Sequence, residues 1–144
     1  MGVITWSPLD GGFLSGKYKV KQDLTPDSRI GKFATRFMGG FDPEAELYQQ
    51  KLALVGQLTP VAEQAGITLA QLAVAFVLEH PYVTSTIIGP RTMAHLEGLL
   101  AAADLKLDTA ILDQIDQIAP PGSSVNPPRD LPDGTAVKIR RSCD

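Results

Sequence analysis

The stretch of sequence that decides the fold is VITWSPLDGGFLSGKY, residues 3–18. It opens with a β-branched and aromatic run, Val3–Trp6, which predicts a buried strand. Glycines after the strand permit a sharp backbone turn, and serine hydroxyls and the Lys17 ammonium gather near the strand end. These groups suit an anion such as phosphate. On composition alone, a polar loop with a surface lysine is the favoured alternative.

A second segment with anion-binding character follows a second predicted strand at residues 83–88. This strand closes at Gly89, and Thr92 is placed to cap the helix that follows. A helix N-terminus offers free amides and positive potential to a phosphate, and Arg91 stands at that position. A surface arginine near a helix start is the alternative interpretation.

The region between the strands is predicted to begin with a long loop over residues 7–41, rich in glycine, proline and polar side chains. A helix is then expected to start at Asp42-Pro43-Glu44. Pro60 should kink or break this helix near Leu58. Gly66 should end it as a C-cap.

Further helices are predicted from capping signals and apolar patterning. Thr68 and Gln71 fit a capping box, and residues 69–78 are apolar almost all round, which predicts a deeply buried helix. A last helix is expected at residues 108–119. Strands that alternate with helices favour parallel βαβ architecture, and two strands cannot close a barrel.

Both turn segments resemble motifs of the aldo-keto reductase family. Residues 7–18 are similar to its SPLxxGxLxGKY segment after the seventh strand, and residues 87–99 are similar to its IIGxRxxxQLxEN segment at the eighth strand. The resemblance implies an α/β fold that is the C-terminal part of a TIM (β/α)8 barrel, with strands 7 and 8, their helices and an incomplete barrel. It covers a domain at residues 1–119, before a Pro/Gly-rich tail at residues 120–144 that is predicted to be irregular.

The resemblance also implies the cofactor, NADPH, and the residues that contact it. Trp6 would stack on the nicotinamide, Lys17 would contact phosphate, and Arg29 would lie in the loop over the cofactor. Gly89 and Arg91 would grip the adenosine 2′-phosphate. The full candidate set is Trp6, Ser7, Pro8, Leu9, Lys17, Arg29, Gly89, Arg91 and His95, in which Ser7, Pro8 and Leu9 would line the pyrophosphate.

Three positions depart from the family pattern around the adenine. His95 stands where the family usually has Gln, and Gly98 and Leu99 stand where it usually has two polar adenine contacts. A lost hydrogen bond of this kind costs about 0.5–1.5 kcal/mol, so reduced cofactor affinity is expected. For His95, a solvated helix position is the alternative to a cofactor contact.

Family members reduce a carbonyl to an alcohol by hydride transfer from NADPH, with a catalytic Asp, Tyr, Lys and His. Tyr18, Tyr48 and Tyr82 do not match the catalytic tyrosine, and no catalytic residue is assigned in this chain. We therefore expect the C-terminal portion of a truncated or split oxidoreductase, inactive on a carbonyl substrate unless an N-terminal half completes it. The alternatives are a non-catalytic nucleotide-binding or interaction module formed by a half-barrel, and a destabilised fragment.

Composition narrows the partners and the compartment. The net charge of −3 gives no basic footprint for nucleic acid, and the apolar stretches are too short for a membrane span. Cys143 is the one cysteine, so neither an internal disulfide nor a metal cluster is expected, and a cytoplasmic setting is predicted. Unpaired strand edges and apolar faces favour self-association.

Overall fold

Two parallel strands lie beside a core of helices in the computed structural model, which describes residues 2–37 and 40–125. Strand β1 (Val3–Trp6) pairs with β2 (Val83–Ile87), with Thr5 opposite Thr86 and Trp6 opposite Ile87. The helices are α1 (Arg29–Phe37), α2 (Glu46–Gln64), α3 (Leu69–Leu78), α4 (Met93–Leu100) and α5 (Thr109–Ile118). The parallel pairing across intervening helices confirms the predicted α/β architecture.

The two faces of this sheet have opposite environments. Thr5 and Thr86 are half-buried with their hydroxyls enclosed, and α3 packs beside β2. On the other face Ile4, Trp6 and Ile87 are 64%, 77% and 60% exposed. The prediction of a buried strand at Val3–Trp6 is therefore wrong, because no described residue covers this second face. In a closed (β/α)8 barrel, the face opposite the helices is the packed interior.

The predicted loop over residues 7–41 contains regular structure, so that prediction is also wrong. Tight 3₁₀ turns occupy Asp10–Ser15 and Lys21–Asp23, and α1 follows. Helix α1 forms because Ile30 and Ala34, one helical turn apart, are buried together. The Ser28 hydroxyl accepts the amide of Gly31 at 3.1 Å and so satisfies a free donor in its first turn.

Helix α2 begins later than the sequence indicates. The carboxylate of Asp42 accepts the amide of Glu44 at 2.8 Å, and the Asp42 carbonyl accepts the amide of Ala45 at 3.1 Å. These bonds close a turn, and the helix starts at Glu46. The predicted start at Asp42-Pro43-Glu44 is wrong because the aspartate side chain stabilises that turn instead.

Pro60 does not end α2, which continues to Gln64. A proline inside a helix costs about 3 kcal/mol, but Val55, Val61 and Ala62 are buried on either side of it and offset that cost. The helix ends where Gly66, at φ 70°, donates its amide to Glu63 at 3.0 Å. This confirms the predicted glycine at the helix end.

The predicted caps at Thr68 and Thr92 are confirmed, in contrast to the one predicted at Asp42. Thr68 and Gln71 form a reciprocal capping box at α3. Thr92 accepts the amide of His95 at 3.2 Å, and Asp108 accepts that of Ile111 at 2.8 Å. Helix α3 is buried as predicted, and its residues enter both apolar clusters. The main cluster joins α2, α3 and α5, and the smaller one consists of Val74, Leu99 and Ala102.

Within the described ranges, no single helix is long and apolar enough to cross a membrane. Helices α2 and α3 reach the necessary length and apolar composition only when taken together, and they are bent by 86° at their junction. Residues 126–144 of the predicted irregular tail lie outside the described residues. That prediction and the domain boundary at residue 119 therefore stay predictions.

Candidate cofactor-binding site

A cavity of about 610 Å³ opens at the carboxyl ends of the two parallel strands. Its volume is in the range of small-molecule and cofactor sites. It brings together all the residues predicted from sequence: Trp6, Ser7, Pro8, Leu9, Lys17, Arg29, Gly89, Arg91 and His95. The turns after β1 and after β2 therefore converge on one space, as parallel pairing requires.

The wall after β1 is a Gly-rich turn, residues 7–17, with an unusual backbone. Ser7 and Asp10 have positive φ values of 60° and 45°, and Gly11 and Gly12 follow at 66° and 105°. The amide of Asp10 donates to the Ser7 carbonyl at 3.0 Å, and that of Gly12 donates to Leu9 at 2.8 Å. Positive φ at non-glycine residues is costly and concentrates at functional sites.

The cavity wall is strongly cationic. Lys17, Arg29 and Arg91 all line it, and no aspartate or glutamate is found among its described lining residues. The chain as a whole has a net charge of −3, so the charge of this wall is opposite in sign to that of the whole protein. The Lys17 ammonium lies 4.6 Å from the centre of the Tyr18 ring. Such a wall favours a ligand with several negative charges.

The opposite wall is formed by the turn after β2 and by α4. The Gln71 side chain donates to the Gly98 carbonyl at 3.1 Å and so ties the start of α3 to α4. His95 is exposed on α4 and lines the cavity, together with Gly98 and Leu99. Positions 98 and 99, where the family pattern has polar adenine contacts, thus present a glycine backbone and a buried leucine to the cavity.

The structure adds lining residues that the sequence interpretation did not propose as cofactor contacts. Gly11, Gly12 and Ser15 belong to the motif at residues 7–18, so the sequence carried a signal for them. Thr68 and Ala70 also line the cavity. They enter through the packing of α3 against the Gly-rich turn, for which the sequence carries no local signal.

The groups with shifted pKa values lie away from this cavity. Burial raises the pKa of the Tyr48 hydroxyl, and the Asp42 carboxylate adds to the effect. The amides of Lys19 and Val20, at 2.7 and 3.0 Å, lower the pKa of the Asp23 carboxyl. Tyr18, Tyr48 and Tyr82 do not line the cavity. Among the described residues no cluster of three His, Cys, Asp or Glu side chains is placed to hold a metal.

Comparison with known proteins identifies the family. Residues 1–120 match the aldo/keto reductase family. A "Probable voltage-gated potassium channel subunit beta" of Arabidopsis thaliana is 34% identical over 120 residues, which are 82% of this chain and 35% of the relative. A "Putative voltage-gated potassium channel subunit beta" of Schizosaccharomyces pombe is 36% identical over 81% of this chain and 33% of the relative. The "Uncharacterized oxidoreductase YrpG" of Bacillus subtilis is 32% identical over 83% and 32%. The chain spans about a third of the length of these relatives, and it belongs to the aldo/keto reductase family as a part of its barrel.

Proposed function

We propose that this chain binds NADPH in the 610 Å³ cavity and supplies the cofactor-holding part of a carbonyl reductase, with β1 and β2 as the seventh and eighth barrel strands. The observation that carries the proposal is the cationic wall. Lys17, Arg29 and Arg91 line one cavity that has no carboxylate among its described lining residues, in a protein of net charge −3. NADPH carries a pyrophosphate and a 2′-phosphate, which match that charge.

The apolar side of the cavity suits the rest of the ligand. Trp6 is largely exposed at the end of β1 and offers its indole to a flat ring such as nicotinamide. Ser7, Pro8 and Leu9 follow it directly along the same wall. Arg91 lies two residues before α4, where its guanidinium can pair with a phosphate next to the free amides of the helix start.

Carbonyl reduction itself needs more than this cavity. Bound NADPH would supply the hydride for a carbonyl carbon, and a positioned acid would be needed to protonate the oxygen. No tyrosine of the described chain lines the cavity, and none matches the family's catalytic position. We therefore propose that reductase activity, in a cytoplasmic setting, requires the Asp, Tyr, Lys and His of a further barrel portion.

Titration of the protein with NADPH tests the binding proposal. Trp6 is the sole tryptophan, so its emission reports on this cavity alone. NADPH should quench it saturably, after correction for light absorption with free tryptophan at equal absorbance. No saturable change up to millimolar NADPH would contradict the assigned site. NADPH oxidation by the purified chain with an aldehyde would contradict the requirement for further residues.

A second candidate function is a non-catalytic nucleotide-binding or interaction module, favoured by the exposed sheet face. Ile4, Trp6 and Ile87 present apolar surface there. Contiguous apolar surface of this kind marks association sites. Two relatives bear the name of potassium channel β subunits, which is in keeping with a subunit role. Sedimentation equilibrium, followed by a reductase assay of any complex that forms, distinguishes the candidates. A module of this kind should associate through the sheet and stay inactive in the complex, whereas the part of a reductase should gain activity when a further barrel portion completes it.

A further inference from the structure

An ion pair between a buried lysine and a half-buried aspartate lies directly behind the Gly-rich turn. Lys51, on α2, is only 6% exposed, and its ammonium donates to both carboxylate oxygens of Asp10, at 2.9 and 2.7 Å. Taking a lysine charge out of water is costly, and a buried pair often adds nothing to stability over apolar residues. The placement of this pair therefore calls for a role other than holding the fold together.

Asp10 stands at the centre of the turn that forms the cavity wall. Its backbone has a φ of 45°, between Ser7 at 60° and Gly11 at 66°. Ser7, Leu9 and Gly11 line the 610 Å³ cavity, whereas Asp10 does not. The turn thus presents its backbone to the cavity on one side and is anchored to α2 through the Asp10 carboxylate on the other.

The ammonium of Lys51 is itself held in place by the aromatic core. It lies 5.2 Å from the centre of the Phe13 ring, a distance at which the ring face attracts a cation. Phe13 is almost fully buried and packs against Tyr18 and Tyr48, at 5.2 and 6.0 Å between ring centres. Lys51 therefore has little freedom to move, and neither does the carboxylate that it binds.

We propose that Lys51 is a positioning residue for the cofactor site. Through Asp10 it holds the turn in which Ser7, Asp10, Gly11 and Gly12 have positive φ, so that the cavity wall is formed before the ligand arrives. This inference rests on the proposed function, since it assigns the turn to NADPH. A residue in this backbone region is strained and persists only where its surroundings fix it, and the ion pair supplies that fixation. A site that is only partly populated in its competent form binds more weakly in proportion.

The test compares Lys51→Met, the double variant Asp10→Asn/Lys51→Met and the conservative Lys51→Arg. The double variant removes both charges and leaves no buried ion unpaired, so it keeps the fold even where the single variant loses stability. Lys106→Met is the matched control, because Lys106 is 83% exposed and lies 3.9 Å from its partner Glu79. Melting temperature and the Kd for NADPH are measured for each.

We expect the double variant to melt near the wild type but to bind NADPH about tenfold more weakly, an effect in the range found for residues without ligand contact. Lys51→Arg should recover most of the affinity, and Lys106→Met should change nothing. Wild-type affinity in a folded double variant would overturn the inference. If the double variant lost stability and NADPH affinity together, the ion pair would serve the fold alone, and this result would also overturn the inference.

Amide hydrogen exchange of the unliganded protein keeps this inference separate from the proposed function. The amides of Gly12, Leu14 and Gly16 are hydrogen-bonded within the turn at 2.8, 3.2 and 3.3 Å. In the double variant they should exchange faster while α3 amides are unchanged. If the wild type failed to bind NADPH, the proposed function would fall, and unchanged exchange of these amides would refute the positioning role independently.

Discussion

Replacing Arg91 with alanine should convert the protein from a preference for NADPH to indifference between NADPH and NADH. Arg91 lines the cavity just before α4 and is exposed. A hydrogen bond to a charged group contributes about 1.5–3 kcal/mol, and exposure to solvent places this one at the lower end. At about 1.4 kcal/mol for each factor of ten, the Kd for NADPH should rise roughly 10- to 30-fold. The Kd for NADH, which lacks the 2′-phosphate, should stay the same.

The assay is parallel titration of Trp6 emission with the two nucleotides at fixed ionic strength. Arg91→Lys should fall between the wild type and Arg91→Ala, because an ammonium keeps the charge but loses the bidentate geometry. Lys106→Ala, on the exposed surface, serves as the control. The advantage of NADPH in the wild type should shrink as salt is added. An equal rise in Kd for both nucleotides would refute the reasoning, since it would remove the 2′-phosphate from the role of Arg91.

Three further predictions concern the stability of the fold. Gly31→Ala should destabilise the protein by about 1–3 kcal/mol in urea unfolding, because a Cβ would overlap backbone carbonyl oxygens of the preceding turn. Gly56→Ala is the matched comparison: Gly56 faces open space on α2, so this change should stabilise the protein by about 1 kcal/mol. Thr68→Ala should lower the free energy of unfolding by about 1 kcal/mol, because it removes the cap of α3. Thr68→Ser keeps a hydroxyl and should lower it much less. Equal unfolding midpoints for the two variants would contradict the role of the cap. The lowered pKa of Asp23 means that its carboxylate stabilises the fold fully above the unfolded-state pKa of about 4 and loses this contribution as pH falls through the lower folded-state pKa. Asp23→Asn should therefore flatten the acid limb of the melting temperature against pH, and a parallel acid limb would show that the group is irrelevant.

Helix ends were predictable from sequence where a single side chain decides them within a few residues. The capping box at Thr68 and the cap at Thr92 form as expected because the hydroxyl needs only the amide three positions on. Asp42 shows the limit of this reasoning. It has the composition of a helix cap, yet its carboxylate closes a turn, and the choice depends on the packing of the following helix.

Tertiary packing decided the features that sequence reasoning missed. Local propensity predicts a kink or break near Leu58, but the helix continues through Pro60 because burial of Val61 and Ala62 outweighs the cost. The cavity was predictable in its two turns because their motifs follow parallel strands, whose carboxyl ends share one edge of a sheet. The contribution of Thr68, from a third element, and the ion pair of Lys51 with Asp10, 41 positions apart, have no signature along the chain.

The exposure of Val3–Trp6 illustrates a different limit. A β-branched and aromatic run indicates a strand that is able to bury its side chains, and it carries no information on what covers them. One face of β1 carries the half-buried Thr5, whereas Ile4 and Trp6 on the other remain exposed in the described chain. The sequence therefore predicts the strand and its pairing, while its environment depends on neighbouring elements.

Gln71 links helices α3 and α4 at the rim of the cavity. One amide side chain accepts the Thr68 amide at 3.0 Å and donates to the Gly98 carbonyl at 3.1 Å, so it cannot rotate without releasing both helices. Fraying of the first turn of α3 and displacement of α4 are thereby made into a single event. A ligand that stabilises α4 should therefore also slow the opening of α3. The hydrogen-exchange protection of the amides in that first turn would then report, without an optical label, whether the cavity is occupied.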